Sequence, residues 1–452
     1  MNFDELKPKM WNLIFIGLLA LVLVIGTVRT FAFPKDINEY ENRTAEKVLE
    51  FKSGLYASGE YQDSVENALA DQVPLAESFK KAYNTALSGF KNKMLAAAGV
   101  GAGSESGLEF KSGTEEFRAT VVKLTDEINM VGDHLYYSKG RTMWDTSRLD
   151  AGIEKINKAV LAHPELNFYA YYVEREIEND FETGEKVQLA EYLDEHLNFG
   201  TGERQSLAML ANHASHFAKF EVSDFETFDK YFFKTDHHWN YLGSYKGYLE
   251  VCQLLDLPVT SPAPAVTSPA AGFGEPLAPH GTAEVGWMSG SRAAGIGESS
   301  YTEVLTVYRF DFPQMAITIN GSAPVGVEGN TNGDYGSQKE LIASAVNWNP
   351  DDRSAENNVT YAKFYGNDYA EVVLKNNGAS GGNGRNLLIF GDSYDNAMLK
   401  LLAASYDTVY SIDVRWYENL AGHPFDFDQY VAAHRVDDVL FIGSNTLFEN
   451  PF

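Results

Sequence analysis

An aspartate, two histidines and a tryptophan stand side by side in KTDHHWN, residues 234–240, in a chain of 452 residues with only ten histidines. Histidine changes charge near neutral pH, and a nearby carboxylate can fix the tautomer of a catalytic imidazole. On an extended backbone, residues i and i+2 project to one side roughly 7 Å apart, so Asp236 can bend to meet His238. On a helix they would not face each other. Asn240 is a good N-cap, and Tyr241, Leu242, Tyr245, Tyr248, Leu249 and Cys252 follow at helical spacing, so a helix is expected after the motif and an extended segment within it. His237 is then expected to point the other way and Trp239 to wall a pocket. Asp236, His237 and His238 could also ligate a metal, but adjacent histidines diverge on a strand and no HxxxH spacing occurs nearby, so no metal is expected. A purely structural polar loop is the competing reading.

An imidazole base needs a nucleophile to activate. Three strand-like runs lead straight into polar turns: NLLIF into Gly391-Asp392-Ser393, YSI into Asp413-Val414-Arg415, and VLFIG into Ser444-Asn445-Thr446. In an open parallel sheet, ligands bind outside the carboxyl ends of the strands, so these turns can share one crevice. Ser393 is the sharpest candidate, on a tight strand-to-helix turn where Gly391 would permit an unusual backbone angle. Asp and Ser are also preferred helix caps, so the same residues read equally as an ordinary N-terminus.

The elements that must position these residues read as α/β. NFYAYYVE (167–174), NLLIF (386–390), DTVYSI (407–412) and DVLFIG (438–443) are aromatic and β-branched runs of the kind buried on both faces of a sheet. DNAMLKLLAASY (395–406) follows as a helix, giving parallel βα units. Residues 257–300 are rich in Pro, Ala, Gly and Ser and read as a long exposed loop or insertion. EVLTVYRF and MAITINGS then read as antiparallel strands within a β-rich insertion at about 257–370.

Composition bounds the rest. Basic and acidic residues number 36 and 63, and 36 − 63 = −27 disfavours nucleic acid as a partner. The lone Cys252 rules out an internal disulfide and a cysteine-based metal site, and no cofactor is expected. Residues 10–28 are uncharged and mostly apolar, long enough to approach the span of a bilayer core. The flank lacks a clean small-x-small cleavage site, so the run reads as a retained signal anchor. Residues 1–9 would form a cytoplasmic tail, residues 29–107 a membrane-proximal helical segment and linker, and residues 108–452 the main domain, outside the cytoplasm on a single-pass anchor.

TDHHWN together with LLIFGDSY, DVRWY, NEYENR and SGEYQDSVENALADQVPL resembles the DHHW family of bacterial proteins, in the SGNH-hydrolase-like group that includes the alginate O-acetyltransferases AlgX and AlgJ. The resemblance implies an SGNH-hydrolase-like parallel sheet with flanking helices. It implies Ser393 as nucleophile, His238 as general base and Asp236 as its orienting carboxylate. Arg415 matches an arginine near the site, with Asn445 as a further polar pocket group. The implied activity is O-acetylation of a cell-surface or cell-wall polysaccharide through an acetyl-serine, with a membrane-bound O-acyltransferase as acetyl donor. A polysaccharide acetyl esterase needs the same three residues, and a non-catalytic glycan assembly or binding protein needs none of them.

Overall fold

The computed structural model describes residues 111–138, 146–199, 216–262, 282–297, 301–327, 359–365, 369–379 and 381–452, with short pieces between 28 and 68. The chain divides into two compact units, residues 1–90 and 91–452. In the first, Ile37–Asn38 pairs antiparallel with Arg43–Thr44. The expected tail, the apolar span apart from Val28, and the stretch 99–107 lie outside the described residues. Among the described residues no helix is long and apolar enough to cross a membrane.

The second unit is built on an eight-stranded sheet. In chain order its strands are β1 (Asn167–Val173), β2 (Phe217–Phe220), β3 (Met315–Ile319), β4 (Val325–Val327), β5 (Glu371–Asn376), β6 (Asn386–Gly391), β7 (Thr408–Ile412) and β8 (Asp438–Gly443). Their order across the sheet is β4-β3-β5-β7-β6-β8-β1-β2. The block from β7 to β2 is parallel, and β5, β3 and β4 add on antiparallel. The strands expected from the sequence are there because their side chains alternate between two apolar cores. Leu387 and Ile389 of β6 and Leu440 and Ile442 of β8 enter one, while Leu388, Phe390, Val439 and Phe441 enter the other. Strands buried on both faces read as continuous apolar runs.

Chain order makes the crevice. From β6 the chain crosses to β7 on one side, then returns past β6 to β8 on the other. Such a reversal opens a cleft at the carboxyl ends of the two diverging strands. Ser393 follows β6 and Ser444 follows β8.

Three expectations are corrected here. Residues 395–406 do not form one helix: a 3-10 turn at Asp395–Ala397 and a short helix at Leu399–Ala403 flank Met398. Every residue from Asp392 to Ala403 is buried, Lys400 included, so the segment lacks the solvent face of an amphipathic helix. Residues 257–300 are not loop throughout. Thr282–Met288 pairs antiparallel with Glu303–Tyr308, and Ser291–Gly295 forms a helical turn between them. The antiparallel strands expected beyond residue 300 are present, but Met315–Ile319 joins the central sheet itself.

Candidate active site

The helix Tyr241–Leu255 starts where the sequence places it, with Asn240 Oδ1 accepting the N–H groups of Leu242 and Gly243 at 2.9 and 3.1 Å. Its buried face runs through Gly243, Gly247, Tyr248 and Val251, while Leu249 stays exposed. The motif before it is not extended. Residues 234–238 bend through a loop closed by an antiparallel bridge between Phe232 and Trp239. Phe233 N–H donates to the His238 carbonyl at 3.0 Å inside that loop.

The bend brings Asp236 and His238 together by a local bond: Asp236 Oδ1 accepts the backbone N–H of His238 at 3.1 Å and lies 2.5 Å from its Nδ1. His238 Nε2 lies 2.6 Å from Ser393 Oγ, 155 residues away in sequence. Burial alone would raise the Asp236 carboxyl. The neighbouring His238 and His237 rings, the His238 bond and the Ser291 N–H outweigh it and hold the group well below the usual carboxylate range. An ionised carboxylate only accepts, so Nδ1 carries the proton and Nε2 is left to accept from the Ser393 hydroxyl. All three residues are only 5% exposed, which keeps water from competing for these bonds.

Three devices that the sequence did not reveal hold the loop. The first is the turn Gly290–Ser291, whose Ser291 N–H donates to Asp236 Oδ2 at 2.8 Å. Gly290 is needed for closeness, since a Cβ there would lie 2.5 Å from Asp236 Oδ2 and 2.7 Å from its Cα. The second is Arg292, fully buried, which pairs with Glu176 at 2.6 Å and donates to the carbonyls of Phe233 (2.9 Å) and Asp236. The third is Glu303, which accepts Lys234 N–H at 3.1 Å and both the N–H and hydroxyl of Thr235 at 2.7 Å. A pattern reading weighs local residue types, and these partners come from 54 or more residues away.

The nucleophile turn is fixed in the same way. Asp392 accepts Tyr394 N–H at 3.1 Å on one oxygen, and on the other the N–H and hydroxyl of Ser444 at 2.9 and 3.0 Å. It thereby staples the ends of β6 and β8. Gly391 serves by its size and not by a special backbone angle, as it is absent from the residues with positive φ. A Cβ there would fall on the Asp395 carboxylate.

His237, Trp239 and Arg415 are placed differently from expectation. His237 does not point away: its Nδ1 lies 2.8 Å from Ser291 Oγ and its ring 3.9 Å from that of His238. Burial, helped by the Arg175 and Arg292 charges and opposed by Asp236, lowers its pKa well below the ordinary histidine value. Trp239 does not wall a pocket. It is fully buried edge-on against Phe220 and Tyr394 beneath the site. Arg415 is forked onto Asp413, the cap of its own helix, at 2.5–3.2 Å. Asn445 donates to Glu449 at 2.9 Å, and its buried Oδ1 has no partner among the described residues. Cys252 sits in the core, where burial pushes its thiol up to about 11.

Asp236, His237 and His238 place ligand-type atoms within 4.8 Å of one another. The Asp236 oxygens, His237 Nδ1 and both His238 nitrogens are engaged by Ser291, by Ser393 and by each other, so a cation taking those atoms would have to break the chain of bonds.

Fold and site together define a class: a mixed α/β protein with a serine–histidine–aspartate chain at the carboxyl edge of its sheet. No protein-family model matches the sequence, and neither does any curated protein. Among solved structures, the chain is similar to Bacillus cereus PatB1, with 18% identity and a TM-score of 0.42 over 73% of this chain and 96% of that one. It is similar to a DHHW family protein from Eubacterium siraeum, with 17% identity and a TM-score of 0.43 over 73% and 97%. It is also similar to the O-acetyltransferase domain of Pseudomonas putida AlgJ, with 10% identity and a TM-score of 0.28 over 70% and 90%. A DHHW family protein therefore stands among its structural neighbours, as the motifs in its sequence led us to expect.

Proposed function

We propose that this protein is a serine-dependent O-acyltransferase that acetylates hydroxyl groups of a cell-envelope polysaccharide. The observation that carries the reading is the unbroken chain Asp236–His238–Ser393, with contacts of 2.5 and 2.6 Å. In the first half-reaction Ser393 Oγ bonds to the acetyl carbon as its proton passes to His238 Nε2, the bond to the donor's leaving group breaks, and that proton leaves with the leaving group. In the second, a sugar hydroxyl gives its proton to Nε2 and bonds to the carbon, the ester to Ser393 breaks, and the proton returns to Oγ. Asp236 orients the imidazole and stays ionised throughout.

Transfer to a sugar, in preference to water, follows the DHHW resemblance of the motifs. On the same reading the apolar run at residues 10–28 anchors the chain, the main domain lies outside the cytoplasm, and a membrane-bound O-acyltransferase supplies the acetyl group. The test is to incubate the protein with an activated acetyl ester and candidate glycans and to follow acetyl groups on the glycan. Transfer that vanishes in Ser393→Ala supports the reading. Release of acetate alone points to an esterase, and undiminished transfer by Ser393→Ala leaves the assembly role.

A further inference from the structure

Tyr361 has no place in the motifs, yet it touches both ends of the base–nucleophile pair. Its ring lies on the His238 imidazole with centroids 3.7 Å apart and planes only 3° from parallel. Its hydroxyl donates to the Ser393 carbonyl at 3.0 Å. The ring is 2% exposed and held from several sides. Phe233 meets it edge-on at 6.3 Å, and the Tyr365 ring packs tilted against it at 4.7 Å. Just upstream, Val359 N–H donates to the Trp287 carbonyl at 2.7 Å, tying the segment to the strand Thr282–Met288.

Two neutral electron-rich rings avoid a near-eclipsed sandwich and prefer an offset or an edge contact. With planes about 3.5 Å apart at van der Waals contact, a 3.7 Å centroid separation leaves an offset of about 1.2 Å, so the two ring faces still overlap. The stack becomes more favourable when one ring is electron-poor, as an imidazole is once it has taken a proton. His238 takes its proton from Ser393 during acylation, so the Tyr361 ring interacts better with the transition state than with the resting state. Only such differential interactions speed the chemical step.

We propose that Tyr361 is a positioning residue that carries the His238 imidazolium on its ring face while its hydroxyl pins the Ser393 backbone, an inference that rests on the acyl-serine reading. The other groups against the imidazole are Asp236, His237 and Tyr394, the last with its ring 5.3 Å away.

The test is the pH dependence of the acylation burst with p-nitrophenyl acetate in the full chain. Tyr361→Phe keeps the stack, so it should retain the acid limb of the profile and slow the burst only about three-fold, for one lost hydrogen bond. Tyr361→Leu removes the ring face; it should slow the burst roughly ten-fold and move the acid limb to lower pH, because the protonated imidazole loses its partner. Phenylalanines of increasing fluorination at 361 drain the ring face at nearly constant shape, so they test the same shift if the leucine variant does not fold. A limb that moves progressively with fluorination supports the proposal. A normal wild-type burst with an unmoved limb in these variants overturns it and leaves the acyl-serine reading standing. Absence of any wild-type burst overturns both.

Discussion

Ser393 sits at the end of β6 with its hydroxyl 2.6 Å from an imidazole whose other nitrogen is held by an ionised carboxylate. The position of Asp236 rests in turn on a residue with no side chain. The space Gly290 leaves is filled by Asp236 itself, so Gly290→Ala should push the carboxylate off Nδ1. The expected result is a fall of at least about a hundred-fold in the acylation burst, as for an imidazole held in the wrong tautomer or place, together with a lower melting temperature, because the new Cβ also meets the Asp236 backbone. Wild-type burst rates in that variant would show that Asp236 does not orient the base. The residues on the reaction path were legible because their types are rare and their local chemistry distinct. Gly290, Ser291, Arg292, Glu303 and Tyr361 were not. Each acts by touching the motif from a distant segment, and nothing in its own neighbourhood marks it.

At the scale of elements, the DHH loop is held by a buried ion pair and a buried acid. Arg292→Met leaves Glu176 charged and unpaired in a dry interior, a loss of about 3–5 kcal/mol. Changing Glu176 to leucine as well should recover most of the melting temperature. Activity should stay low, since the carbonyls of Phe233 and Asp236 still lack their donor. Recovery of activity along with stability would reduce Arg292 to a packing role. Glu303 gives this region a pH signature. Burial pushes its carboxyl up to about 6, against the pull of the Thr235 and Lys234 donors and with the Asp236 charge adding to the rise. The unfolded chain titrates near 4.5, so between these values the folded state binds more proton. Its contribution to stability therefore falls as pH rises through that window, by about 2 kcal/mol in all. Glu303→Gln cannot ionise and should lack that slope in melting curves taken across the same window; an identical slope would place its origin elsewhere. The parallel strands were legible at this scale because burial on both faces leaves continuous apolar runs. The segment after Ser393 misled for a related reason, since complete burial erases the periodicity that separates a regular helix from a broken one.

Over the whole molecule, the net charge of −27 bears on the acceptor. A chain so acidic repels polyanionic polymers, and the repulsion is screened by salt. Neutral or amino-sugar glycans should therefore accept acetyl groups better than uronate-rich ones at low ionic strength, with the gap narrowing as salt is added. A preference for the anionic polymer at low salt would require a local basic site to outweigh the global field. The acetyl–Ser393 ester is a single covalent bond, and peptide mass spectrometry of the protein quenched during turnover of an activated acetyl ester detects it. We expect one acetyl group on the peptide containing Ser393, lost on adding an accepting glycan and absent from both Ser393→Ala and His238→Ala. Steady turnover with no acetyl group on that peptide, or the same adduct in His238→Ala at wild-type rate, would contradict the account.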